Sequence, residues 1–190
     1  RIPLKLIEIS ELVKEEEFKV FSEPARKLNS RVVALKVSKG NSLSRGQIDD
    51  YTKFVSKLGA KGLAYIKINN VDDFENGIQS PILKFLNNET VKNIIKNLDA
   101  ETGDLIFFGA GSSAVVNLSM SSLIKRLGED LNLYITKWAP CWIINFPMFE
   151  LNNEGNLSPL HHPFTLPKCS QKDILEKPED AIAHAYDVVL

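Results

Sequence analysis

The sequence predicts an α+β fold, a β-sheet with flanking helices up to Leu133 and a differently built tail from there on. Three observations predict it. Short β-branched or aromatic runs, "RVVALKV", "LAYIKI" and "DLIFF", read as strands. The stretches between them carry apolar residues at helical spacing. After Asp130 that alternation stops, and an aromatic run broken by prolines takes over.

The elements follow in order. "ISELVKEEEFKVF" predicts a short helix and then a strand around Phe18–Phe21, with Glu15, Glu16 and Glu17 in a solvated loop. Arg31–Val37 is a strand. "SRGQ" at Ser44–Gln47 has capping-box spacing, in which the serine accepts from the third helical N–H and Gln47 reaches back. The helix it opens carries Ile48, Tyr51, Val55 and Leu58 on one face and ends at Gly59. Leu63–Ile68 is a strand. "SPILKFLNNETVKNIIKNL" gives one or two helices, with Pro81 allowed in a first turn. Asn87 or Asn88 caps the second, on which Val91, Ile94, Ile95 and Leu98 form the stripe. Asp104–Phe108 is a strand, and a long helix follows with Val116, Met120, Ile124 and Leu127 in its stripe. Trp138–Glu150 reads as a buried strand with Cys141 in the core. "DILEKPEDAIAHAYDVVL" is a helix candidate broken near Pro178.

Composition narrows the function classes. The chain has 190 residues, 44% hydrophobic and 25% charged, enough for one good core or a core plus an appendage. Its 23 basic residues against 24 acidic ones give a net charge of -1. No global basic field draws it to a nucleic-acid backbone, so any RNA contact is expected to be local or made by other parts of a chain. Two cysteines without metal-type spacing suit a reducing compartment. No apolar run is long enough to span a bilayer and no signal-peptide pattern opens the sequence, so a cytoplasmic location is expected. Arg1 rather than Met comes first, and "AIAHAYDVVL" stops on an apolar run. The sequence is therefore expected to be part of something larger, the other reading being a natural C-terminal strand.

Two stretches invite chemistry. In "FFGAGSSA", Gly109-x-Gly111-x-x-Ala114 between a strand and a helix has the outline of a dinucleotide fingerprint. That reading needs a second parallel strand ending in an acidic residue. Glu129 and Asp130 have the spacing but end the same helix, so a strand-to-helix turn that uses glycines for tight geometry is the stronger reading. The scattered basic residues of "KLGAKG" and "IKRLG" look like ordinary helix ends. In "LHHPFTLPKC", adjacent His161 and His162 on an extended chain point to opposite faces, which disfavours a shared metal. His162 before Pro163 is held extended. That rigidity suits either one imidazole placed in a pocket or a packed or exposed pair.

"WAPCWIINFPMFE", then "LHHPFTLPK", then "AYDVVL" resembles the bacterial-type aspartyl-tRNA synthetases, aspartate–tRNA ligases of class II. Upstream, "SLSRGQIDDYTKF", "GAKGLAYIKIN", "SPILKFL" and "GDLIFFGAG" resemble the GAD insertion domain of these enzymes. The resemblance implies that residues 1–137 are the inserted domain. It implies that residues 138–190 are a truncated piece of the antiparallel class II catalytic domain, with the boundary near Trp138. It implies that His161 contacts the L-aspartate substrate and that His162 supports it. No catalytic residue, ATP-binding position or metal ligand maps onto this chain. Asn145 departs from the pattern, standing where the family leads one to expect aspartate.

For the intact enzyme the resemblance implies ATP and Mg2+, an aspartate-accepting tRNA as partner, and a homodimer. It implies activation of aspartate to aspartyl-adenylate and transfer to the tRNA 3′ end. The 190 residues alone are expected to be inactive, since the arginine-bearing segments of the family are absent. The alternatives are a non-catalytic structural or tRNA-contacting module, and a nucleotide-binding domain built on Gly109–Ala114.

Overall fold

In the computed structural model, two eight-residue strands form the centre of the fold: β2 (Ser30–Val37) pairs antiparallel and one for one with β5 (Leu105–Ser112). The structure describes residues 1–152 and 154–189. Asn153 of the expected turn and Leu190 of the terminal run lie outside the described residues. The chain divides into a unit Ile2–Ile135 and a unit running from Thr136 on.

The first unit is built on a five-stranded sheet, β1 (Leu6–Glu8), β2, β5, β3 (Ala64–Ile68) and β4 (Ile78–Gln79), in that spatial order. Every pair in it is antiparallel. Both faces are covered. Val32, Ala34, Ile66, Ile106 and Phe108 pack with residues of α1 (Ser10–Val13), α2 (Lys19–Arg26) and α5 (Asn88–Asn97). Their neighbours Val33, Leu35, Leu105 and Phe107 pack with α3 (Arg45–Ser56) and α6 (Ser113–Asp130). Side chains alternate along a strand, so two buried faces demand apolar residues at every position. This is why "RVVALKV" and "LIFF" read as continuous rather than alternating runs.

The helix signals hold locally. Ser44 and Gln47 form the reciprocal capping box at α3, with the Gln47 N–H donating to Ser44 Oγ at 3.3 Å and the Ser44 N–H to Gln47 Oε1 at 2.9 Å. Gly59 follows that helix at φ +94°, in the left-handed region that favours glycine. Asn87 caps α5 by accepting from the Glu89 N–H. On α6, Leu123 is buried beside Val116, Met120 and Leu127, whereas Ile124 is half-buried.

Four readings need correction. The expected strand at Phe18–Phe21 is the start of α2. Phe18 and Phe21, three residues apart, meet edge to face at 4.9 Å on one helical side, and Phe21 continues onto Phe108. A strand would have sent them to opposite faces. The acidic loop is not merely solvated: the Glu16 carboxylate accepts the Asn87 N–H at 2.9 Å and the Thr90 hydroxyl. It places a negative charge on the α5 N-terminus, where orphan N–H groups favour it. The third correction concerns Trp138–Glu150. It forms two short strands, β6 (Cys141–Ile144) and β7 (Phe149–Leu151), and every residue of β6 is exposed, Cys141 included. The only described strand paired with β6 is β9 (Tyr186–Val189), whose residues are exposed as well. The fourth is the C-terminal helix candidate, which is helical only in α7 (Gln171–Glu176). A 3-10 turn at Pro178–Asp180 ends it, and the chain then runs extended into β9.

Tyr51 links α3 to α6. Its hydroxyl donates to Asp130 at 3.1 Å, and Arg126 holds the same carboxylate at 2.8 Å. Burial, and then the bond to Asp130, push the Tyr51 phenol up to about 12. A raised folded-state value stabilises the protein fully below the unfolded value near 10, and that stabilisation is lost as pH rises toward 12. Tyr51→Phe is expected to cost about 1 kcal/mol at neutral pH. Urea titrations of both proteins should show the gap closing between pH 10 and about 12. A gap independent of pH would show that the bond to Asp130 is not its source.

Near the unit's ends, Leu4 and Leu6 pack into the α3–α6 cluster and the Ile2 side chain lies directly over Gly128. A β-carbon on Gly128 would clash with it.

Candidate functional site

The histidine stretch belongs to the unit from Thr136 on. An extended segment, Ala181–His184, runs between two others there. Met148 N–H donates to the Ala181 carbonyl at 2.8 Å and Ala183 N–H to Phe146 at 2.7 Å. On its other side Lys168 N–H donates to Ile182 and His184 N–H to Leu166, both at 2.8 Å. Ala181 and Ala183 are buried between these neighbours. This frame ties the stretch Phe146–Met148 to the segment that follows the histidines.

His161 is half-buried. Its Nε2 lies 3.1 Å from the Pro147 carbonyl, and its ring meets Phe146 edge to face at 5.8 Å. A carbonyl can only accept, so Nε2 carries the hydrogen of this bond, which leaves Nδ1 as the other nitrogen of the ring. His162 is exposed and turned elsewhere: its Nδ1 accepts the Phe164 N–H at 3.3 Å and its ring meets Phe164 at 4.9 Å. The two imidazoles thus engage different partners, although the chain bends at His161 and turns from His162, where the Thr165 N–H donates to the His162 carbonyl at 2.9 Å, rather than running extended. His184 contributes its backbone N–H to the frame. Among the described residues no group of three or more His, Cys, Asp or Glu is placed to hold a metal ion.

Asn145, the departure from the expected aspartate, sits at φ +61°, a region that asparagine tolerates better than most residues. Its Oδ1 accepts from Lys168 Nζ at 2.9 Å. Asn145 precedes Phe146 and Lys168 follows Leu166, so the bond links the two segments that bracket Ala181–His184. Sequence reasoning found His161 but missed this tie, because its two ends stand far apart in the chain.

The glycine stretch has a different purpose from the one its outline raised. Gly109 and Gly111 lie within β5, not in a turn, and pair with Val33 and Arg31. A β-carbon on Gly109 would stand 2.6 Å from Met120 Cγ and 2.9 Å from Sδ, so its absence lets α6 lie close on the sheet. Gly111 has φ +147°, which favours glycine. Both neighbours of β5 are antiparallel, and no described strand supplies the parallel partner that a dinucleotide crossover needs. The nucleotide-fold reading therefore fails on topology.

An antiparallel sheet with helices on both faces, and glycines that seat a long helix on it, define a mixed α+β module. Residues 21–120, more than half of the chain, match the family model of the GAD domain. The chain belongs to the GAD domain family, whose members occur in aspartyl- and glutamyl-type tRNA synthetases. That places it in an aminoacyl-tRNA ligase context. The match covers the sheet core from within α2 to within α6 and stops before the histidine stretch. No helix among the described residues is long and apolar enough to cross a membrane.

Proposed function

We propose that this chain is part of an aspartate–tRNA ligase, with the GAD unit carried as an insert and His161 contacting L-aspartate. In that reaction an aspartate carboxylate oxygen attacks the α-phosphorus of ATP and pyrophosphate leaves. The 3′-terminal hydroxyl of tRNA then attacks the acyl carbon and AMP leaves. The observation that carries the reading is the GAD match followed in sequence by "FPMFE" and "HHPFT".

His161 has a defined task in this reading. With Nε2–H committed to Pro147, the free Nδ1 lone pair accepts from the substrate's α-ammonium group. Phe146 and the Asn145–Lys168 bond keep the ring in that orientation. His162, hydrogen-bonded to the Phe164 backbone, holds the turn beside it and has no contact with the substrate.

In this reading ATP phosphates and Mg2+ are held by other parts of the whole protein, since the segment from Thr136 to the end contains no arginine. Stabilising charge on a transferring phosphoryl group requires such groups. The proposal assigns that work, tRNA anticodon recognition and dimer formation to other parts of the whole protein. The 190 residues alone are expected to give no ATP–pyrophosphate exchange.

The test is aspartate-dependent ATP–pyrophosphate exchange by the whole protein that carries this sequence. His161→Ala should raise KM for aspartate about tenfold or more, a loss of roughly 1.4 kcal/mol, and leave KM for ATP unchanged. His162→Ala should change either constant less than about threefold. Exchange that requires glutamate instead of aspartate, or no exchange with either, would refute the assignment.

A further inference from the structure

The GAD unit contains a cleft of about 760 Å³ that no element described above uses. It opens where the sheet is stepped. β5 runs on to Ser112 against β2, whereas β3 begins only at Ala64, opposite Phe108. From Gly109 to Ser112, therefore, β5 has a ladder on one side and none on the other. Asp104 accepts from Ile68 on the β3 side, and Ser113 N–H donates to Asn29 on the β2 side. Strand alternation then turns the Ala110 N–H and C=O and the Ser112 N–H toward the step. The loop before β3, Gly59–Leu63, makes no backbone hydrogen bond to them.

The walls define an occupant. The exposed Val20 and the half-buried Pro24, Ala64, Ala110 and Val115 form the accessible apolar floor, above the buried Phe21, Leu63 and Phe108. Lys19, Lys27 and Lys61 line the cleft from two separate segments, all exposed and none ion-paired among the described residues. Glu23 is the one carboxylate among the lining residues. An open strand edge pairs with an extended backbone, an apolar floor takes alternate apolar side chains, and lysines complement acidic ones. Single-stranded RNA fits less well. It would seek an exposed aromatic face for base stacking, and Phe21 and Phe108 are each only 1% exposed.

We propose that this step is a strand-addition site for an extended, acidic peptide segment of a protein partner, which pairs with β5 at Ala110 and Ser112. The test uses the full 190-residue chain and a fluorescein-labelled peptide of about nine residues alternating glutamate with valine. Comparators are the same peptide with lysine for glutamate, the acidic peptide N-methylated at alternate amides, and a single-stranded oligouridylate.

The acidic peptide should bind in a salt-sensitive way. It should shift the Ala110 and Ser112 amide resonances and lose its affinity on N-methylation. Affinity should fall about tenfold or more in K19E/K27E/K61E, whose three positions are exposed and whose folding is checked by circular dichroism. Lys61→Glu alone, in the loop, should give a smaller loss of the same sign. Failure of the acidic peptide to bind at millimolar concentration overturns the proposal. So does equal binding of the lysine peptide or the N-methylated peptide. Lysine-dependent binding of the oligouridylate alone would make the cleft an RNA phosphate site instead.

Discussion

Asp104→Ala is expected to lower the unfolding free energy by about 2–4 kcal/mol in urea titrations. The residue is only 5% exposed, yet both carboxylate oxygens are used. Oδ1 accepts the Lys39 N–H at 3.1 Å and Oδ2 the Glu101 N–H at 3.0 Å, with the Lys36 ammonium at 4.0 Å. Lys39 is itself at φ +56° and Asp99 at φ +45°, so the residue pins two turns whose backbones favour other conformations. Removing it leaves two donors without a charged acceptor and frees both turns at the end of the central strand pair. Asp104→Asn should recover less than half of the loss. It keeps one oxygen but turns an amide N–H₂ toward the other donor. An alanine variant within about 0.5 kcal/mol of the parent would show that the turns hold themselves.

Limited proteolysis with thermolysin is expected to cut the segment from Thr136 on at least about a hundredfold faster than the unit Ile2–Ile135. Among its described residues only Ala181 and Ala183 are buried hydrophobics, against more than thirty in the GAD unit. Trp142, Ile144 and Tyr186, which ought to anchor a core, are 64%, 60% and 68% exposed. At roughly 25 cal/mol per Å² of apolar surface buried, a ribbon whose residues are this exposed recovers little of the entropy that ordering it costs. The expected end product is a resistant fragment that ends near Ile135. Equal cleavage rates in the two units would mean that the ribbon is covered in solution.

The central fold was legible because its signals are local. The capping box at Ser44, Asn87 at the α5 N-terminus and the β-branched runs each depend on a few adjacent residues. Phe18–Phe21 misled because a short aromatic and β-branched run suits a strand by composition, while the three-residue step between its phenylalanines suits a helix, and the distant Phe108 decides between them. Glu16 looked solvated because its partners stand at Asn87 and Thr90. Cys141 and the aromatic strand looked buried because hydrophobicity signals that a surface needs cover, not that the described chain supplies it. For the site, His161 came from resemblance. Its orientation came from Pro147 and the frame, which no spacing rule contains. Lys61 was read as part of an ordinary helix end and Lys19 and Lys27 drew no reading, since the three converge only through the fold.

Ile2 resting on Gly128 gives the GAD unit a property beyond stability. Its entry and exit meet on one side of the α3–α6 layer, with the chain's first apolar residues packed where the last long helix ends. A unit whose two ends adjoin can be spliced into a surface loop of a host without pulling that loop apart. By the same geometry its ends could be joined and reopened elsewhere. A circular permutant opened in the exposed Gly59–Gly62 turn would keep every strand of the sheet whole.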